Sequence, residues 1–278
     1  MANTSKPAAT KSGAGNPTSS VNIPMSLIVI PLLFVVSILI YMFVFGNGSH
    51  FEGNTNSGKP LPGDYFGQVY KGGLIVPILM TMFLVVITFV IERFLTIYKA
   101  KGNGSTVNFV RKIKLSLAAN NIDGAISDCD AQKGSVANIV RAGLMRYKVA
   151  IASDDMTKEQ KIESIQKEIE EASSLELPML ERNLVILATI ASVATLFGLL
   201  GTVLGMIRSF AALSQEGGSG AEALATGISE ALINTALGIG TSALAIVMYN
   251  VFTTQIDKLT YGIDEVGYSI VTSFKTHS

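Results

Sequence analysis

The chain has 278 residues, 49% of them hydrophobic and only 15% charged, where soluble domains carry about 25% charged residues. Its 21 Lys and Arg balance 21 Asp and Glu, so no net field draws it to nucleic acid or to an acidic substrate. The single Cys129 excludes an internal disulfide, and two distant histidines, His50 and His277, argue against a metal centre.

A mean hydropathy of +0.44 points to the membrane before any segment is located. Residues 1–24 open on Ala, Ser, Thr, Gly, Asn and Pro with two lysines, a composition that buries nothing and reads as a disordered cytoplasmic tail. Residues 25–45 carry no charge and are long enough to span a bilayer. A secretory signal is the competing reading. Signals have shorter apolar cores and a small-residue cleavage site, and this run ends Phe43-Val44-Phe45-Gly46, so a retained helix is expected. Residues 46–72, rich in Gly, Asn and Pro, read as a periplasmic loop.

A second apolar run, 73–98, is charged only at Glu92 and Arg93. The basic residues that follow, Lys99, Lys101, Arg111, Lys112 and Lys114, should stay in the cytoplasm, on the side of Lys6 and Lys11. Residues 99–183 read as a cytoplasmic helical domain, punctuated at Asn120-Asn121 and Gly134-Ser135. Thr157 and Gln160 have capping-box spacing and open a helix whose Ile162, Ile165, Ile169 and Leu175 form one apolar stripe. Nothing in this insert has the pattern of a catalytic constellation, and no enzyme activity is expected.

Residues 184–213 form a third span and 221–256 a fourth, joined by a hairpin at 214–220 and followed by a cytoplasmic tail at 257–278. The third carries Ala188, Thr195, Thr202 and Ser209 at seven-residue intervals, interleaved with Ala191, Gly198 and Gly205. That recurrence places small and hydroxylated groups on one face. Gly198, Gly201 and Gly205, with Gly227 and Gly238 on the fourth span, are expected to serve close helix packing. The fourth span also holds Glu230, Asn234, Thr235, Thr241 and Ser242. Glu230 lies roughly 14 Å into its run at 1.5 Å per residue. A charge at that depth costs about 3 kcal/mol on insertion scales, so the carboxyl must be neutral, paired or hydrated. Intramembrane ionisable groups mark ion pathways by default; protonated interhelical glue is the plainer alternative.

Leu187-Ala188-Thr189-Ile190, then Gly198-Leu199-Leu200-Gly201-Thr202-Val203-Leu204-Gly205, then Gly227-Ile228-Ser229-Glu230-Ala231-Leu232 with Thr235 following, resemble the ExbB/TolQ proton-channel family, ExbB most of all. The likeness covers roughly 180–256, with a weaker match of architecture over 73–180. It implies an all-α multi-pass protein with four transmembrane helices and a cytoplasmic helical insert, assembled as a homopentameric ring in a bacterial inner membrane. The ring would enclose two single-span ExbD- or TolR-like subunits and drive a TonB-like protein with the proton motive force. By motif, Glu230 becomes the channel glutamate with Thr202 and Thr235 as its polar companions, and Asn234, Thr195 and Thr241 as further lining. No cofactor is implied; the ion is H⁺, with Na⁺ open. Two departures stand out: Ala194-Thr195 replaces an Ala-Pro step, and 25–45 adds a helix to a three-span core, placing both termini inside. A TolQ-like envelope motor and a MotA-like stator remain alternatives, although 184–256 lacks MotA's prolines. A tetraspan scaffold without ion conduction is the alternative of another class.

Overall fold

The structure is a computed structural model, and it describes residues 25–56, 58–215 and 220–277. The expected tail 1–24 and the middle of the expected hairpin 214–220 lie outside the described residues. Among the described residues four helices are long and apolar enough to cross a membrane, and there is no strand beyond one isolated bridge between Phe51 and Pro60. This is an all-α, multi-pass membrane protein.

Helix α1 (Met25–Ile40) runs on as a π-helical turn, Tyr41–Phe45. Its outer face keeps Leu27, Leu32 and Phe43 exposed, as lipid contact demands. Its inner face buries Ser37, whose hydroxyl donates to the Pro77 carbonyl at 2.7 Å. The 46–72 segment is more ordered than an irregular loop. It makes two short 3₁₀ turns, Gly48–His50 and Glu52–Asn54, then helix α2 (Tyr65–Lys71). Asp64 caps α2, accepting from the amides of Phe66 and Gly67 at 2.9 and 3.2 Å. Its other oxygen meets His50 Nδ1 at 2.7 Å, and that bond holds the Asp64 carboxyl below the usual carboxylate range. Stacked rings join this cap to α1: Tyr41 on Tyr70 at 4.7 Å and Phe45 on Phe66 at 5.3 Å.

Helix α3 (Ile75–Lys101) explains its two charged residues near the far end. Arg93 is buried, paired with Glu92, and donates from Nη1 to the carbonyls of Met179 (3.2 Å) and Leu180 (3.0 Å). Those carbonyls belong to the last turn of α7 (Lys158–Glu181), where no intrahelical donors remain. Asn183, at φ 69°, turns the chain into α8 (Leu184–Gln215). The α7 start is a complete capping box between Thr157 and Gln160.

Helices α4 (Thr106–Ala118), α5 (Ile122–Gln132), α6 (Gly134–Ala152) and α7 pack into a bundle whose spine is the end of α9 (Gly220–His277). The expected boundary at 256 is absent: α9 is one helix of 58 residues, about 87 Å long. Residues 257–277, read from sequence as a tail, bury Leu259, Ile263, Val266, Ile270 and Phe274 at helical spacing. Each fully buried apolar side chain contributes roughly 2 kcal/mol. Tyr147 meets Phe274 edge-on at 5.0 Å in the same core.

Helices α8 and α9 form the tightest pairing. A Cβ added at Gly238 would stand 2.6 Å from the Ala194 carbonyl oxygen and 2.8 Å from Gly198 Cα, whereas Gly240 faces open space. Gly238→Ala should therefore force the two helices apart at a cost of about 1–3 kcal/mol. Gly240→Ala should be neutral or slightly stabilising, because alanine is the better helix former by up to about 1 kcal/mol. Unfolding midpoints in mixed detergent titrations compare the two. Equal midpoints for both variants would contradict this packing.

Candidate functional site

The α8–α9 seam places small groups opposite one another in antiparallel order. Gly205 faces Ala231, whose Cβ lies 2.7 Å from where a Gly205 Cβ would be. Gly201 faces Asn234 with the same crowding at 2.6 Å, Gly198 faces Gly238, and Gly227 faces Ser209. With no side chain between the backbones, hydroxyls reach across.

Thr202 and Thr235 are hydrogen-bonded to each other. Thr202 also stands 3.3 Å from the carbonyls of Gly198 and Ala231, and Thr235 lies 3.3 Å from the Gly198 carbonyl. A hydroxyl has one proton and two lone pairs, so this cluster has more acceptors than donors and can accept further hydrogen bonds from outside. Two turns along, the Ser242 hydroxyl bonds the Ala191 carbonyl. Thr195, one turn beyond Ala191, is half-buried, and Thr241, three residues beyond Gly238, is buried.

Glu230 is half-buried on α9, and two cations, Lys71 and Arg208, act on its carboxyl. Arg208, exposed on α8, rests its guanidinium against Gly73: a Cβ there would lie 2.8 Å from Nη1. Tyr41 also lies within reach of the charges on Glu230 and Arg208, and its hydroxyl donates to the Tyr70 carbonyl at 2.7 Å. Glu230 thus sits at the level of the 46–72 cap, toward one end of the helices rather than midway. Asn234, one turn on, is buried and donates from Nδ2 to the Gly72 carbonyl at 2.9 Å. Its Oδ1 is buried with no hydrogen-bond partner among the described residues. The structure therefore brings together Thr202 with Thr235, and Glu230 with two cations that sequence reasoning did not assign to it. Lys71 and Arg208 lie on other elements, α2 and α8, so no linear motif joins them to Glu230. Among the described residues no three His, Cys, Asp or Glu side chains assemble as metal ligands.

Residues 131–265 match the MotA/TolQ/ExbB proton channel family, a family of channels rather than of enzymes. The Tol-Pal system protein TolQ of Pseudomonas aeruginosa is 32% identical over 133 residues, 48% of this chain and 57% of that protein. The biopolymer transport protein ExbB of Salmonella typhimurium is 35% identical over 85 residues, 31% of this chain and 35% of that protein. TolQ of Haemophilus influenzae is 38% identical over 88 residues, 32% and 39% of the two chains. The chain therefore spans between about a third and just over half the length of these relatives.

The threonine pair is testable by itself. Interhelical hydrogen bonds in membranes average about 0.6 kcal/mol and reach about 1.7. A cycle of Thr202→Val, Thr235→Val and the double variant, read from unfolding midpoints, should return a coupling in that range. Strictly additive effects would show that the two hydroxyls do not meet.

Proposed function

We propose, from the membership of residues 131–265 in the MotA/TolQ/ExbB proton channel family, that this chain is the proton-conducting subunit of a membrane motor. Glu230 carries the reading: an ionisable side chain on an apolar helix, beside a seam of hydroxyls and backbone carbonyls. A carboxyl that can be both neutral and charged is what a proton relay requires, while a passive scaffold gains nothing from its cost. Each proton crossing 100 mV releases about 2.3 kcal/mol.

In this reading five copies form a ring in a bacterial inner membrane, around two single-span ExbD- or TolR-like helices. The 46–72 cap faces outward, and the helical bundle and both termini face the cytoplasm. The ion is H⁺, and Thr202 and Thr235 hold water beside the carboxyl. The output is work on a TonB-like protein for outer-membrane transport. Envelope maintenance is the second reading, carried by the relatives named TolQ beside those named ExbB.

Sidedness is checked by labelling cysteines introduced at Asn56 and Ser153 with a membrane-impermeant reagent. Cys129 is buried and its thiol is pushed up to about 12 by desolvation, with Asp130 and Asp128 adding to the effect, so it stays silent. Asn56 should label from outside and Ser153 should not; the reverse pattern overturns the topology. Glu230→Gln keeps shape and hydrogen bonding but removes the titratable group. It should assemble normally and lose proton flux at least tenfold in proteoliposomes, along with motor-dependent growth in a deletion strain. Glu230→Asp, one methylene shorter, should retain part of both. Wild-type flux through the Gln variant would sink the relay assignment.

A further inference from the structure

Asn234 is bound on one side and open on the other. Its Nδ2 is committed to the Gly72 carbonyl at 2.9 Å, which fixes which way the amide points. That leaves Oδ1 buried, an acceptor with no donor among the described residues. A buried acceptor left unpaired costs on the order of 1–3 kcal/mol, so a native structure that keeps one asks for a donor that comes and goes. Backbone approach seals the pocket: a Cβ at Gly201 would lie 2.6 Å from Asn234 Cβ, and one at Gly72 would lie 3.0 Å from Oδ1 itself.

Glu230 precedes Asn234 by four residues on α9, the spacing that stacks two side chains on one helix face. The other groups around Glu230 are of opposite character. Lys71 directly precedes Gly72, and Arg208 packs on Gly73; these are the two cations that act on the carboxyl. Tyr41 is nearby, with its hydroxyl already donated to the Tyr70 carbonyl. The carboxyl thus has two places to go. One is an acceptor-only oxygen that only the protonated acid can serve, since a carboxylate has no proton to donate. The other is the cationic side made by Lys71 and Arg208.

We propose that Asn234 is a positioning residue that holds Glu230 only while it is protonated, with the carboxyl O–H donating to Oδ1. On releasing its proton to the pathway, Glu230 loses that bond and turns to Lys71 and Arg208. The proton state of the carboxyl is thereby written as a side-chain position, at the point where the cap (through Gly72) is tied to α9. This inference rests on Glu230 being the proton relay, and it adds the partner that reads its protonation.

Infrared difference spectra of the reconstituted complex between acid and alkaline buffer test it. The protonated carboxyl band of Glu230 is identified by its loss in Glu230→Gln. In Asn234→Leu that band should move to higher wavenumber, because the acid has lost its acceptor. A merely structural role for Asn234, through Gly72, would leave the band in place. Wild-type protein labelled with ¹³C-asparagine gives a second measurement that does not depend on the Leu variant folding. One asparagine side-chain carbonyl band should drop in wavenumber on acidification, and the drop should vanish in Glu230→Gln. An unshifted carboxyl band in Asn234→Leu, or no acid-dependent asparagine band in the wild type, overturns the proposal. Proton flux measured on the same samples separates the two readings. Normal wild-type flux lost in Glu230→Gln, without the infrared shifts, leaves the channel reading standing and removes only Asn234's role. Undiminished flux in Glu230→Gln removes the channel reading itself.

Discussion

Within hydrocarbon a hydroxyl or a carboxyl has no water to fall back on, so its partners must be built into the protein. The α8–α9 seam supplies them through proximity. Because Gly198, Gly201, Gly205 and Gly238 carry no side chain into the gap, the two backbones come close enough for Thr202, Thr235 and Ser242 to reach carbonyls across it. A larger residue at any of these glycines would separate the helices and leave hydroxyls unpaired in an apolar medium. Packing and polarity are therefore one feature here. The glycines make the seam tight, and its tightness is what lets polar groups exist at that depth.

The continuity of α9 gives the seam mechanical reach. The helix that carries Glu230 continues unbroken to the residues that form the core of the bundle, down to Phe274. An unbroken helix has no loop to absorb rotation or translation, and this one both carries Glu230 and packs into the core of the bundle. The Arg93 junction completes the frame by fastening α3 to the end of α7, just before α8 begins. A buried guanidinium is costly unless its donors are used. Here it spends them on terminal carbonyls that would otherwise lack partners.

The four apolar helices are legible because membrane helices announce themselves by uninterrupted apolar length. The Thr157 cap was legible because its chemistry is local. What escaped had its cause elsewhere in the chain. Residues 257–277 looked like a tail because Asp257, Lys258, Asp264 and Glu265 dilute the apolar stripe. The stripe is nonetheless buried, since α4, α6 and α7 come to it. Helix α2 was hidden in a Gly- and Pro-rich stretch because Asp64, His50 and ring stacking hold it, not an amphipathic run. At the site, Glu230, Thr202 and Thr235 stood out as polar residues in apolar helices. Lys71 did not, because only folding of the cap carries it to Glu230.

That cap gives the additional helix α1 a structural purpose. Ser37 ties α1 to Pro77, and Tyr41 bonds and stacks on Tyr70. The first fixes α1 on α3, and the second holds the 46–72 segment against the end of the α1 span. Gly72 can then offer its carbonyl to Asn234, and Lys71 can bring its charge to Glu230. The effect reaches beyond mechanics, because the cap also sets the charge around the carboxyl. A core without α1 and its cap would leave Asn234 without the Gly72 carbonyl. With them, a buried amide oxygen without a donor among the described residues lies four positions along α9 from the carboxyl. Helix α1 thus reaches the α8–α9 seam through the cap that it helps to hold in place.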